Sequence, residues 1–472
     1  MISKIEINGF KSFHHFSMEF SPLTVIAGAN ASGKSNLFDA LQLLSRLAET
    51  DIKTAFGEQR GNASELFTQF GENIYADEIH FAIEMLINRK IKDNWGGEAQ
   101  LKYTRLRYEL KIQRKKNTRG YIDDLLVVHE SLKNLRHNED SWVKQHIPRE
   151  YLDIWRPRVD TGKRGKPYIT TEDKNGIPTI KIPQDGKQGG KETPANVVSQ
   201  TVLSGINSVD FPHVFAAKEE MRSWKFLQLN PDDLREPTRQ EANASDVITH
   251  SGKNLAAALF RIKLDDEYSL REISRKLNSF LPNFIEVDVV DDKANKQFII
   301  KLKGEDGREF SSRVLSEGTL RLLALCIFLY DDNHRSLICF EEPENGIHPY
   351  RIKAMADLLK DLSVDFSDIE MPLRQVLVNT HSTILVHEML KLKNEKHIAI
   401  WLSKMNTLVT EINGKKMKMK ITKTYPVIRD KSKQVVIPFS EEKEKERKMT
   451  LADLVELLET SDFENTSQYL LN

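Results

Sequence analysis

The amino-acid sequence predicts an α/β fold: a mixed β-sheet core flanked by helices, with a β-rich insertion and no long coiled coil. Three observations carry this. The apolar run Leu23-Thr24-Val25-Ile26-Ala27 feeds a glycine-rich loop that opens into a helical pattern, the strand–loop–helix order of α/β proteins. Two further apolar runs, Leu337-Ile338-Cys339-Phe340 and Val376-Leu377-Val378, each end on polar residues and read as buried strands. Between these halves, residues 91–240 alternate or are irregular, and lack the sustained heptads of a coiled-coil rod.

A chain of 472 residues holds two or three ordinary domains, or one large α/β domain carrying an insertion. With 69 basic against 69 acidic residues, overall charge argues neither for nor against a nucleic-acid partner, so any basic patch is local. Cys326 and Cys339 both sit in apolar runs. They read as packing residues in a reducing compartment, not as a disulfide or metal site. No apolar run approaches a membrane span, and the chain starts directly in a strand pattern, so the expectation is a cytoplasmic protein without a membrane partner.

The loop after the first buried run is Gly28-Ala29-Asn30-Ala31-Ser32-Gly33-Lys34-Ser35-Asn36, a G-x-x-x-x-G-K-S motif. Such a loop turns backbone N–H groups inward around phosphates. Lys34 can reach β- and γ-phosphates, the Ser35 hydroxyl can ligate Mg²⁺, and the next helix points its positive end at the nucleotide. Leu37, Ala40, Leu41, Leu44 and Leu47 give that helix one buried stripe.

Before the loop, Ile5 and Ile7, then Phe16, Met18 and Phe20, predict two antiparallel strands. Residues 49–77 read as polar and irregular, and Ile79, Phe81, Ile83 and Met85 as a strand. Leu106, Tyr108, Leu110 and Ile112 alternate with Arg105, Arg107, Glu109 and Lys111, a half-buried strand. Residues 156–194 are rich in Pro, Gly and basic side chains, among them Arg156, Arg158, Lys163, Arg164 and Lys166. They read as an irregular excursion or hairpin arm, either a basic loop touching DNA, RNA or a partner, or a solvated linker. Sparse aromatics favour the linker. Ile285, Val287 and Val289, then Phe298, Ile300 and Leu302, predict a hairpin, and 397–402 with 407–412 a closing pair of strands. A charged run at 441–448 precedes a helix with Leu451, Leu454, Val455 and Leu458 on one face. The expected divisions are 1–90, 91–240, 241–430 and 431–472.

The opening I-x-I-x-G-F-K-S-F, followed by G-x-N-x-S-G-K-S-N, resembles the nucleotide-binding heads of the RecF/SMC/Rad50 branch of ABC-type ATPases. Ala31 departs from it, standing where that family usually has glycine. The resemblance spans roughly 1–90 and 245–400 and implies roles for further residues. Leu315-Ser316-Glu317-Gly318-Thr319 looks like a loose form of the signature motif, with Glu317 and Thr319 replacing glycine and glutamine. Ser316 and the Gly318 amide would contact the γ-phosphate of a nucleotide held by another subunit. Glu341 would hold Mg²⁺ through water, where aspartate is commoner, and Glu342 would orient or deprotonate the attacking water. Adjacent strand residues face opposite ways, so the two acids cannot share one job. Glu344-Asn345-Gly346-Ile347-His348-Pro349 looks like the D-loop, from which Asn345 and His348 could cross to a neighbour. His381 corresponds to the switch histidine, Gln69 to the Q-loop glutamine that ligates Mg²⁺, and Arg60 is a weaker candidate for a phosphate or nucleic-acid contact.

By resemblance, then, ATP and Mg²⁺ are the cofactors, and two heads of a homodimer or higher homo-oligomer clamp shared nucleotides. Neither a Toprim set, nor an H-N-H pattern, nor zinc-spaced His/Cys is evident. The effector is therefore expected on a separate chain, a nuclease of HNH or Toprim type, as in the small RecF-like ATPases of bacterial anti-phage systems such as the Septu ATPase subunit. The alternatives are a RecF-like repair ATPase that binds DNA itself, and a scaffold that binds ATP without hydrolysing it.

Overall fold

A computed structural model describes residues 1–449 except 73, 117–121, 159–166, 184–189, 196–198, 241–245, 393–395, 413–414, 430–434 and 437–447. The expected terminal helix with Leu451, Leu454, Val455 and Leu458, the lysines and arginine at 163, 164 and 166, and residues 441–447 of the charged run lie outside the described residues.

Strand β1 (Ile2–Asn8) pairs antiparallel with β2 (Phe16–Glu19), as their alternation predicts. Strand β3 (Leu23–Ala27) is buried at every position and leads through the glycine-rich loop into α1 (Lys34–Leu47). The stretch 49–77 is more regular than its polarity suggests. It holds α2 (Ile52–Gly57), a 3-10 turn at Ala63–Leu66 and the small hairpin β4 (Gln69–Gly71) with β5 (Ile74–Tyr75). Caps rather than periodicity hold these short elements: Asp51 accepts from Thr54 N, and Asn62 with Glu65 forms a capping box.

Strand β6 (Glu78–Leu86) returns beside β1; the small hairpin β7 (Lys90–Lys92) and β8 (Glu98–Gln100) follows. Then β9 (Arg105–Lys116) and β10 (Ile122–Asn134) complete a five-stranded sheet, ordered β10-β9-β6-β1-β2. The region beyond residue 90 thus builds the same sheet as the N-terminal strands. After α3 (Ser141–His146) and α4 (Leu152–Trp155) comes an antiparallel arm, β11 (Thr170–Lys174), β12 (Ile177–Ile182) and β13 (Lys191–Pro194).

The chain continues through α5 (Pro212–Arg222), β14 (Lys225–Leu227), α6 (Pro231–Arg235), β15 (Thr238–Arg239), α7 (Leu255–Asp265) and α8 (Glu267–Phe280). The predicted hairpin forms as β16 (Phe284–Asp292) and β17 (Gln297–Gly304), with β18 (Glu309–Ser311) beside it. Helix α9 (Glu317–Tyr330), β19 (Leu337–Glu341), α10 (Ile352–Leu362), β20 (Gln375–Thr380) and α11 (Thr383–Lys391) lead to β21 (Ile398–Ile412) and β22 (Lys415–Pro426). The expected strand pair at 397–402 and 407–412 is one continuous strand, β21. The intervening residues Ser403 to Asn406 do not break it, because β22 pairs with it continuously from Trp401 to Ile412.

The second sheet runs β14-β19-β20-β3-β21-β22, all parallel except β22. Its faces bury different partners. Leu337, Cys339 and Leu377 join the core formed with α1 and the five-stranded sheet, while Ile338, Phe340, Val376 and Val378 join that of α9 and α10. Both cysteines are buried with thiols pushed up by burial, Cys326 to about 12. Among the described residues no helix is long and apolar enough to cross a membrane.

Arg156, read from sequence as part of a basic or solvated segment, is buried instead. Its Nη1 lies 3.2 Å from Asp140 Oδ2, and it donates to the Leu135 carbonyl at 3.1 Å. Asp140 also takes two bonds from buried Arg105, at 2.9 and 3.1 Å. Removing one member of such a buried network strands the others' charge. Asp140→Ala should therefore lower stability by about 3–5 kcal/mol, measured as a fall in urea midpoint at unchanged slope.

Candidate functional site

Because β3, β19 and β20 are parallel neighbours, their C-terminal ends emerge at one sheet edge, where α/β sheets place ligands. The glycine-rich loop leaves β3 there. Gly33, the residue before α1, has φ 88°, and a Cβ on it would lie 1.8 Å from Thr422 Oγ1 of β22, so only glycine fits. Ala31, an exposed residue, also adopts a left-handed φ of 60°, which strains an alanine. Strands β21 and β22 brace the loop: Ser403 Oγ donates to the Ser32 carbonyl at 2.9 Å, and Thr422 Oγ1 meets Ser12 Oγ at 2.6 Å, which accepts from Asn36 Nδ2 at 2.8 Å. Lys34 turns inward, donating to the carbonyls of Gly28 at 2.7 Å and Ala29 at 2.8 Å. Buried Ser32 Oγ has no hydrogen-bond partner, and Asn30 stands exposed at the rim. An oxygen-rich anion in the loop would satisfy the one and meet the positive end of α1.

Across the edge, Ser35 Oγ donates to Glu341 Oε1 at 2.7 Å, and Asn379 Nδ2 reaches Ser35 Oγ at 3.3 Å. Asn379 Oδ1 is buried without a partner. The hydroxyl and carboxylate that meet here are hard oxygen donors of the kind Mg²⁺ takes, so these residues fit the ion. Among the described residues Gln69 makes no hydrogen bond to this group. It is exposed on the β4–β5 hairpin, outside the six-stranded sheet, and its Nε2 donates to the Gly71 carbonyl at 3.1 Å. Arg60 lies closer to the loop, bonded at 2.9 Å to Asp39 of α1, which Lys11 also holds at 2.6 Å.

Glu342 follows Glu341 but faces the other way. Its Oε1 meets His381 Nδ1 at 3.0 Å and its Oε2 accepts from Asn345 Nδ2 at 2.9 Å. The residue holds φ 47°, a left-handed strain fixed in part by its backbone N–H, which donates to the Asn379 carbonyl at 2.9 Å. Ser316 caps α9, accepting from Thr319 N at 3.3 Å, and its hydrogen bonds stay within that turn. Gly318 packs against the Gly346 carbonyl. Glu317 bonds Arg321 and lies over Gly346, whose φ of 72° and lack of a side chain make room for it. The signature-like turn therefore rests on the 344–349 loop rather than on residues 28–36, and His348 in that loop stacks on exposed Tyr350.

Three residues at the site escaped sequence reasoning. Asn379 and Thr380 end β20, and buried Glu344 accepts from Thr380 Oγ1, which in turn accepts from Ser382 N at 2.9 Å. Burial raises the Glu344 pKa, offset only in part by the Thr380 bond. The signal available was positional: a polar pair ending an all-apolar strand.

Two family models match the chain. One, described as "AAA ATPase domain", covers residues 1–154, and the other, "AAA domain, putative AbiEii toxin, Type IV TA system", covers 196–387. The chain belongs to the RecF/SMC/Rad50-like ABC-type ATPases. A curated relative, the chromosome partition protein Smc of Clostridium kluyveri (strain NBRC 12016), is 24% identical over 287 residues, 58% of this chain. The match spans 22% of that protein's length. Among solved structures, the SMC head domain from Thermotoga maritima has a TM-score of 0.38 at 14% identity, covering 90% of this chain and 99% of that one. The Smc head domain with coiled coil and joint from Pyrococcus yayanosii has a TM-score of 0.41 at 12% identity, covering 98% and 99%.

In this ATPase head the neutral form of Glu344 is favoured by folding. A carboxyl whose folded pKa is raised loses stability as pH climbs from its unfolded value through its folded one. Glu344→Gln, which mimics the neutral form, should flatten that decline, so that urea unfolding from pH 5 to pH 8 shows a smaller loss in the variant than in wild type.

Proposed function

We propose that the chain is an active ATPase in which nucleotide joins two heads and hydrolysis releases them. The observation that carries this is the double acid split across one strand end, with Glu341 against Ser35 and Glu342 against His381. Lys34 and the 28–36 loop would bind the phosphates of ATP, and Ser35 and Glu341 would hold Mg²⁺, which supplies charge neutralisation to those phosphates. Glu342 would take a proton from the attacking water. His381, bonded to the same carboxylate, would orient it and register loss of the γ-phosphate. Asn345 restrains the other oxygen of Glu342.

The signature turn packs on its own 344–349 loop, and among the described residues no hydrogen bond joins Ser316 to the phosphate loop, so a second copy would bring Ser316 and Gly318 to the nucleotide. That arrangement makes the dimer a switch set by mass action. The switch would govern a separate effector, plausibly a nuclease, in cytoplasmic anti-phage defence. The toxin–antitoxin description of one matching family model supports a defence role.

Glu342→Gln should cut turnover about 10²–10⁴-fold while ATP and Mg²⁺ still drive dimer formation, read by phosphate release and light scattering. Ser316→Arg should leave nucleotide binding intact and abolish the dimer. Wild-type turnover no greater than that of Glu342→Gln would instead establish a non-hydrolysing scaffold.

A further inference from the structure

We infer that Asn379 is a positioning residue for the divalent cation, fixing the Ser35 hydroxyl so that one lone pair is left for the metal. The inference rests on the reading of Ser35 and Glu341 as the Mg²⁺ pair. A serine hydroxyl has one proton to give and two lone pairs to offer. At Ser35 the proton goes to Glu341 Oε1 at 2.7 Å, and one lone pair accepts from Asn379 Nδ2 at 3.3 Å. One acceptor position remains. An amide nitrogen carries protons and accepts none, so the Ser35 proton cannot swing toward Nδ2 and stays on the carboxylate. With Asn379 removed, Glu341 alone would hold a hydroxyl that otherwise rotates to suit its surroundings.

The sheet fixes this geometry. Strand β20 is buried along its whole length between β19 and β3, with Asn379 in register with Glu341 on one side and Ile26 on the other. The backbone carbonyl of Asn379 accepts from Glu342 N at 2.9 Å, a bond in which its side chain takes no part. Successive strand residues alternate, so Thr380 turns away from Ser35 and meets Glu344 instead. The far end of the amide, Oδ1, is buried with no partner among the described residues. Buried acceptors are ordinarily met by a donor, and the waters that Mg²⁺ retains on binding are donors of the right kind. Both ends of Asn379 thus serve the cation, one through Ser35 and the other through its hydration shell. An asparagine that merely completed the sheet would act on stability, with no selective effect on metal.

The test is the dissociation constant of the full chain for β,γ-imido-ATP, a non-hydrolysable analogue, measured by calorimetry in excess Mg²⁺ and again in EDTA. The ratio of the two constants is the metal's contribution to binding. Asn379→Leu, close in size but with nothing to donate or accept, should lower that ratio about tenfold or more, the usual loss when the group orienting a metal ligand is removed. Its affinity in EDTA and its urea midpoint should stay near wild type, and Asn379→Val, a second apolar variant suited to a strand, should lower the ratio by as much. Leu377→Ala, a core change two residues away on the same face of β20, should lower the urea midpoint and leave the ratio unchanged. An unchanged ratio in the two Asn379 variants overturns this inference alone, as does an equal loss of affinity in EDTA or the same fall in ratio for Leu377→Ala. Wild type that gains nothing from Mg²⁺ overturns it together with the reading of Ser35 and Glu341 on which it rests.

Discussion

The hydrogen bond from Ser35 to Glu341 joins residues 306 apart in sequence, and it exists only because β3, β20 and β19 lie side by side and parallel. Parallel neighbours need long crossovers, which is why the two halves of the site are so distant along the chain. Strand β20 sits between them and contributes Asn379, which touches Ser35 through its amide and Glu342 through its carbonyl. A disturbance of β20 would therefore reach the phosphate loop and the second acid together.

The same edge is stiffened from outside the sheet. Thr422 approaches the loop so closely that Gly33 admits no side chain, the Ser403 carbonyl does the same at Gly28, and Asn36 is tied to Ser12 of the N-terminal turn. The five-stranded sheet, α1 and the β21–β22 ribbon thus share a boundary at the loop. Movement of the loop on binding phosphate would be felt in the ribbon and at the Lys11–Asp39–Arg60 cluster, which gives the head a physical route from nucleotide to surface.

Sequence reasoning captured what depends on local pattern. The strand–loop–helix of residues 23–47 and the alternation of β1, β6 and β9 follow from periodicity and are present in the fold, whereas Glu341 and Glu342 take different partners because Glu342, at φ 47°, has left the strand. What it missed depends on partners. Arg156 was read from its basic surroundings, yet Asp140 is the reason it can be buried. Gln69 was placed by resemblance, and the packing of its hairpin against β22 has no signature in the sequence. The short elements between 49 and 77 rest on single caps, and Glu344 looks like a surface acid until Thr380 is brought to it by the sheet.

Two non-glycine residues with left-handed backbones stand at the site. Glu342 is held in a left-handed conformation by the Asn379 carbonyl, between a histidine and an asparagine, and Ala31 carries a similar conformation across the site. Conformations of this kind cost about 1–3 kcal/mol each and persist only when neighbours over-determine them. Glu344 adds a further cost, a carboxyl buried beneath the pair with one oxygen unpartnered. The pattern is that of an edge set up in advance for a ligand rather than relaxed for its own stability. Two of the departures from the family motif fall where they can be absorbed: Ala31 is exposed, and Glu317 fills the space above Gly346. Each substitution is therefore accommodated by its own surroundings.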